Sequence, residues 1–409
     1  MHILYLHQYF QTPSKGVVGV AGTRSYEFAK RFVEAGHRVS MLTTCTNPPA
    51  DAPNSWYETN EDGIEVHWLP LPYENQMGAI ARVKAFLRFA FASSRKAHSI
   101  KADVIYATSS PLTIALPAMY ASKRNNIPFV FEVRDLWPEA PRQMGVLTNP
   151  ILFRMAKWLE LTAYRRAAHV VALSPGQKAG IVADGIPEQK VSMIPNSSDL
   201  DLFHPGRNGD HHRERLGLGS RFVLIYFGTM GQANGLSFVV ETARVLMERG
   251  EKDIVFVLHG TGKTRKSLEE LAAKYKLDNL VFSAPLANKT DIADMAAMAD
   301  VCMTIYKNVP ILYTCSPNKM FDAFAAGKPV LTNMPGWLQS LVEDNKCGVF
   351  VEPDNVQMFA DKAVALKNDR AALVAMGENS RLLAERRFAR DNLAVELQTV
   401  LEEACEKRT

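Results

Sequence analysis

Residues 222–259 read FVLIYFGTMGQANGLSFVVETARVLMERGEKDIVFVLH. A short apolar run at 222–228 leads into a loop holding Gly228, Gly231 and Gly235. A helical stretch over 235–249 follows, then a second apolar run at 253–259. Short apolar runs bounded by turn residues fit strands buried on both faces, and a helix between two of them makes the pair parallel.

The alternation continues on both sides of this unit. Downstream, strands are expected at 280–284, 300–306, 329–332 and 348–351, with helices at 264–276, 289–298, 318–326, 355–368 and 370–387. Upstream, strands are expected at 2–7, 38–44, 64–70, 102–109, 128–134, 169–174 and 190–194. Helices there fall at 22–35, 78–98, 111–125, 151–167 and 175–184. Pro205, Gly206, Gly209 and the polar run with His211 and His212 interrupt the series, so 197–220 reads as a linker. The fold class is α/β, with two open Rossmann-like domains at 1–196 and 221–387. A last helix, 388–409, is expected to pack back on the first domain. Such sheets bind ligands beyond the carboxyl ends of their strands, so two facing sheets predict a cleft.

The chain has 409 residues, 47% hydrophobic and 22% charged, which excludes disordered, collagen-like and coiled-coil classes. A formal charge of +4 is too small for a nucleic-acid binder. The charge is uneven: residues 1–190 are basic and 191–409 mildly acidic. Cys45, Cys302, Cys315, Cys347 and Cys405 form no C-x-x-C pair, so no zinc or disulfide framework is expected and a reducing cytoplasm fits. Met1–His7 reads as a strand and not as a signal peptide, and no run of about 18 apolar residues is present to span a bilayer.

Five stretches carry candidate chemistry. The glycine-bearing loop 16–24, with Gly19, Gly22, Thr23 and Arg24, opens a helix whose amides face an anion or, equally, forms a plain loop. It lacks the spacing of a dinucleotide fingerprint. Gly260-Thr261-Gly262-Lys263-Thr264 looks like the end of a P-loop, but Val257 stands where the first glycine belongs, so an NTPase is rejected. Lys263 or Arg265 at a phosphate survives as the weaker reading, beside a structural turn. Arg134 and Asp135 end a buried strand, where a carboxylate orients a hydroxyl nucleophile or else closes the sheet edge as an ion pair. Ser316-Pro317-Asn318-Lys319 opens a helix whose amides and Lys319 suit a diphosphate. Asp322, three residues on, is placed to accept from a ribose; the alternative is an exposed Lys–Asp pair worth little. Finally, 78–101 holds Arg82, Lys84, Arg88, Arg95, Lys96 and Lys101 with no acid, and Phe86, Leu87, Phe89 and Phe91 among them. Such a helix lies on an anionic membrane or packs on the sheet with a solvated basic face.

Together these pieces resemble the retaining glycosyltransferases of family GT4, with the two-domain GT-B fold. The most telling are Ile194-Pro195-Asn196-Ser197-Ser198-Asp199 with Phe203 and Pro205, Tyr226 through Gly231, and Asp322 through Val330. His7-Gln8-Tyr9-Phe10, Gly22 through Glu27 and Arg134 through Glu139 are similar to a subgroup from bacterial O-antigen and capsule clusters, some of which transfer N-acetylated aminosugars. The resemblance implies a UDP-sugar donor, a polyprenyl-diphosphate-linked glycan acceptor, no metal, and a place at the inner face of the plasma membrane. It implies Asp322 on the ribose, Lys319 on the diphosphate, Asp135 and Arg134 on the acceptor or sugar, and Gly231, Gly262, Ser316 and Asn318 around the donor. Three departures stand out: Thr314 replaces the first glutamate of the family's E-x7-E motif, Thr229 and Asn234 stand where its usual Arg and Lys hold the diphosphate, and Arg134 replaces its usual histidine. A sugar-nucleotide 2-epimerase of the same fold and a non-catalytic sugar-nucleotide sensor are the alternatives.

Overall fold

The computed structural model describes residues 1–13, 24–49, 52–72, 77–284 and 288–406. They form two compact units. The first takes in the chain up to Pro195 together with residues from Asp391 onward, and the second runs from Asn196 to Arg390.

In the first unit, β1 (His2–Leu6), β2 (Arg38–Cys45), β3 (Tyr57–Glu61), β4 (Ile64–Pro70), β5 (Val104–Thr108), β6 (Phe129–Val133), β7 (His169–Ala172) and β8 (Val191–Met193) make one sheet. Their order is β3-β4-β2-β1-β5-β6-β7-β8. Every pairing is parallel except β3 with β4. The sequence reading has no counterpart of β3. Its signal is Asp62-Gly63, a two-residue loop between Glu61 and Ile64 with φ of 52° and 84°, the conformation a tight hairpin turn needs.

Strand β1 shows how the unit packs. Ile3 and Tyr5 point into one apolar cluster, Leu4 and Leu6 into the other, as period-two alternation requires when both faces are covered. One cluster includes Phe89, Phe131 and Tyr164. The other includes Phe28 and Phe32 with Leu393, Leu397 and Leu401 of the last helix, Arg390–Glu406. Each buried leucine contributes about 1.5–3 kcal/mol.

In the second unit, β9 (Phe222–Phe227), β10 (Ile254–His259), β11 (Leu280–Ser283), β12 (Val301–Thr304), β13 (Val330–Thr332) and β14 (Gly348–Phe350) run parallel in the order β11-β10-β9-β12-β13-β14. The helix Trp337–Asp344 joins β13 to β14 and is absent from the sequence reading. The segment read as a linker holds a short helix, Asp210–Arg215. The chain passes between the units twice, and the two passages are joined: Ser198 donates its N–H to Phe388 O and accepts from Arg390 N, each at 3.1 Å.

Candidate active site

The parallel strands of each sheet reverse their order once, between β1 and β5 and between β9 and β12, and the ends of these strands are where such sheets place chemistry. In the second unit the loops after β9 and β10 lie backbone on backbone. A Cβ at Gly260 would sit 2.1 Å from Gly228 O, and one at Gly262 would sit 2.5 Å from Met230 O. Met230 donates its N–H to Thr261 O at 2.8 Å, and Thr264 donates its hydroxyl to Met230 O at 2.7 Å. Glycine is required here by close approach. Gly231 starts a single 3₁₀ turn closed by the Asn234 side chain, which accepts from Gly231 N at 3.1 Å.

Lys319 comes from the first turn of the helix Asn318–Ala325, whose start at Pro317 has no side-chain cap. Its ammonium donates to Tyr226 Oη at 3.2 Å and lies 4.6 Å from the Tyr226 ring centre and 5.1 Å from that of Tyr306. Tyr226 in turn donates to Thr229 O at 2.7 Å. Among the described residues no carboxylate pairs with Lys319. Burial lowers its pKa from 10.5 to about 8. A cation held by aromatic faces beside helix amides that no side chain caps among the described residues can receive an anion.

Asp322 shares the helix with Lys319, but no ion pair joins them. Asp322 is surrounded by Lys289, Arg390, Ser198 and Asp199, and its Oδ1 is buried without a partner among the described residues. Burial raises its pKa to about 6, while Lys289 and Arg390 pull the other way. Lys289 and Arg390 both bond Asp199, the latter at 2.5 Å, so Asp199 takes up cations that would otherwise hold Asp322 ionised.

Other expected donor residues have structural partners. Ser316 accepts from Asn196 N at 3.0 Å, and its carbonyl accepts from Asn196 Nδ2 at 2.5 Å. Arg265 donates to Gly260 O at 2.5 Å, to Ser283 O at 2.9 Å and to Glu269 at 2.7 Å, bracing the loop ends. Asn318 and Lys263 are exposed.

In the first unit, the end of β6 presents Arg134 and Asp135. Arg134 is fixed by its backbone: its N–H donates to Ser109 Oγ at 2.9 Å and its carbonyl accepts from Gln177 Nε2 at 2.8 Å. Asp135 Oδ2 accepts from Ser110 Oγ at 3.2 Å. Burial raises the Asp135 pKa against the opposing charge of Arg134. At the end of β1, buried His7 feels Arg134, and burial with that charge holds its pKa well below the imidazole range. Its Nδ1 has no partner among the described residues.

Arg24 lies elsewhere than expected. It is 3% exposed, donates to Glu132 at 2.7 Å, to Pro195 O at 2.5 Å and to Ile194 O at 2.9 Å. Those bonds make it an internal strut, because a fully buried guanidinium must spend its donors inside the protein. Gly19, Gly22 and Thr23 lie outside the described residues.

The basic helix is Ala79–Ser99. It buries Ala85, Phe89 and Ala97, while Val83, Leu87 and Phe91 are exposed, Phe91 to 68%. Lys84 and Arg88 are exposed beside them, and Arg82 donates to Met77 O at 3.0 Å. The helix Pro150–Arg166 exposes Ile151, Leu152, Met155 and Trp158, the last to 67%. None of the described helices is long and apolar enough to cross a membrane.

Tyr226, Tyr306, Asp199, Lys289, Arg390 and His7 are absent from the sequence-derived site. Of these, Tyr226, Asp199 and His7 stood in stretches already singled out.

Two families match the chain: one described as "Glycosyl transferase 4-like domain" over residues 19–197, the other as "Glycosyl transferases group 1" over 209–383. An alpha-D-kanosaminyltransferase of Streptomyces kanamyceticus is 25% identical over 59% of this chain and 61% of its own. A UDP-Gal:alpha-D-GlcNAc-diphosphoundecaprenol alpha-1,3-galactosyltransferase of Escherichia coli is 26% identical over 55% and 57%. The match thus spans less than two thirds of either relative. Among solved structures, the sucrose-phosphate synthase of Thermosynechococcus elongatus superimposes with a TM-score of 0.79 at 18% identity, covering 98% of both chains. Anabaena HepE in complex with UDP-glucose gives 0.71 at 20%, covering 98% of this chain and 100% of its own.

Proposed function

From the premise that this chain belongs to the GT4-type glycosyltransferases and has the GT-B fold, we propose that it moves a sugar, an N-acetylated aminosugar, from a UDP-sugar to a polyprenyl-diphosphate-linked glycan in surface-polysaccharide (O-antigen or capsule) synthesis. The observation that carries this reading is Lys319, a cation without a carboxylate partner among the described residues, beside an uncapped helix start. A departing diphosphate supplies the missing anion, and stabilising that charge is a large share of the catalysis. Asp322, with an unpartnered oxygen, accepts from the ribose hydroxyls. The UDP-glucose complex of HepE and the donor and acceptor named for the galactosyltransferase support this donor and acceptor class.

In the proposed step the acceptor hydroxyl attacks the anomeric carbon on the face from which the diphosphate leaves, retaining configuration. The carbon–oxygen bond to UDP breaks, and the hydroxyl proton passes to the departing diphosphate. Arg134 and Asp135 orient acceptor or sugar. No metal enters the step. The exposed apolar and basic residues of Ala79–Ser99 rest on an anionic membrane as a peripheral contact at the inner leaflet.

The test is a transfer assay with a panel of UDP-sugars and lipid-linked acceptor extracts. UDP release that depends on acceptor, with a glycosylated lipid product and no isomerised donor, is expected. Donor binding without product under every acceptor would sink the reading.

A further inference from the structure

One side-chain cluster in the second unit takes no part in the site above. His211 and His212 lie on the helix Asp210–Arg215, and Asp294 on the helix Lys289–Met298. Their ligand atoms lie within 4.8 Å of one another. His212 is 3% exposed, and neither of its ring nitrogens has a hydrogen-bond partner among the described residues. A buried imidazole needs a donor's partner at one nitrogen and an acceptor's at the other, so both are lost here at substantial cost. Asp294 is already aimed, because Oδ1 accepts from Arg207 Nε at 2.5 Å.

We propose that His211, His212 and Asp294 bind one divalent transition-metal ion of the zinc class, clipping the segment before β9 to the helix Lys289–Met298. Two imidazoles and one carboxylate form a donor set suited to zinc, nickel or cobalt, whereas calcium and magnesium favour oxygen alone. With zinc–ligand bonds of about 2.0–2.2 Å, a tetrahedral ion draws its ligand atoms to about 3.3 Å apart. His211 is exposed and can rotate to supply that closure. Arg207 becomes the outer partner that orients the carboxylate. The ion is structural and takes no part in sugar transfer.

The test uses the full chain, stripped with EDTA and dialysed against zinc or cobalt. One ion per chain is expected, and the cobalt form should show weak visible bands of nitrogen and oxygen ligation without thiolate charge transfer. His211→Ala, at an exposed position, and Asp294→Asn should each weaken binding at least about tenfold. Zinc should raise the thermal midpoint of the native chain by more than it raises that of His211→Ala. Circular dichroism confirms that the variants fold. No bound ion at about 100 µM free zinc, a thiolate spectrum from the five cysteines, or equal affinity in His211→Ala would overturn the proposal.

Discussion

Replacing Lys319 with methionine should make the protein more stable and less active. The native chain holds the ammonium partly buried against Tyr226 and Tyr306, with no carboxylate partner among the described residues. A fall of its pKa from 10.5 to about 8 corresponds to about 3 kcal/mol against the folded state. Solvent still reaches the side chain, so the realised cost is about 1–2 kcal/mol. The sign follows from proton binding: between pH 8 and 10.5 the unfolded chain holds the extra proton. The cost is therefore complete below about pH 8 and fades as pH rises towards 10.5. Denaturant unfolding at pH 7 should show Lys319→Met more stable by about 1–2 kcal/mol, and the gain should disappear near pH 10.5. Turnover should fall about 100- to 1000-fold, the loss seen when one transition-state donor is removed. At pH 8–9, UDP binding by the native chain should take up protons, measured by calorimetry in buffers of differing ionisation enthalpy. A variant that is less stable than the native chain and turns over at the native rate would refute the assignment.

Asp322→Asn should abolish donor turnover, and native donor affinity should weaken as pH falls through about 6, where the carboxyl protonates. The same raised pKa costs stability above about pH 6, a cost relieved as pH falls towards 3.8; native turnover in the variant would remove Asp322 from the site. Glu132→Gln should lower the stability of the first unit by about 3–5 kcal/mol, because it strands Arg24 as a buried charge. Burial alone would raise the Glu132 pKa, but Arg24, Arg134, Tyr106 and Thr108 hold it below the ordinary value, so that contribution is lost only in acid; a change under about 1 kcal/mol at pH 7 would contradict this. Neutralising Arg82, Lys84 and Arg88 should cut sedimentation with anionic vesicles, by about 1 kcal/mol per cation near the surface; unchanged sedimentation would take that helix out of the membrane reading.

Apolar runs and glycine punctuation made the parallel strands legible, because a strand buried on both faces has few polar residues to disguise it. Strand β3 escaped because YETNE is polar and half exposed at a sheet edge, and only Asp62-Gly63 marked it. At the site, helical spacing put Lys319 and Asp322 on one face, yet the two side chains meet different surroundings. Tyr226 and Tyr306 surround one; Lys289, Arg390 and Asp199 surround the other. Lys289 and Arg390 lie far from Asp322 in sequence, and no local pattern brings them together. Arg24 shows the converse: a cation in a glycine-rich segment looks like a phosphate ligand until Glu132, 108 residues on, claims it.

The last helix has a consequence for synthesis. Ile3, Phe28 and Phe32 complete their cluster only with Leu393, Leu397 and Leu401. During translation the second unit can close while the first still exposes part of its oily interior, so the sheet that holds β1 is sealed only after the second unit has been made. A holdase chaperone should therefore stay on the first unit's sheet until the helix Arg390–Glu406 has been made, and a stop codon near 390 should leave a second unit tethered to an aggregation-prone first.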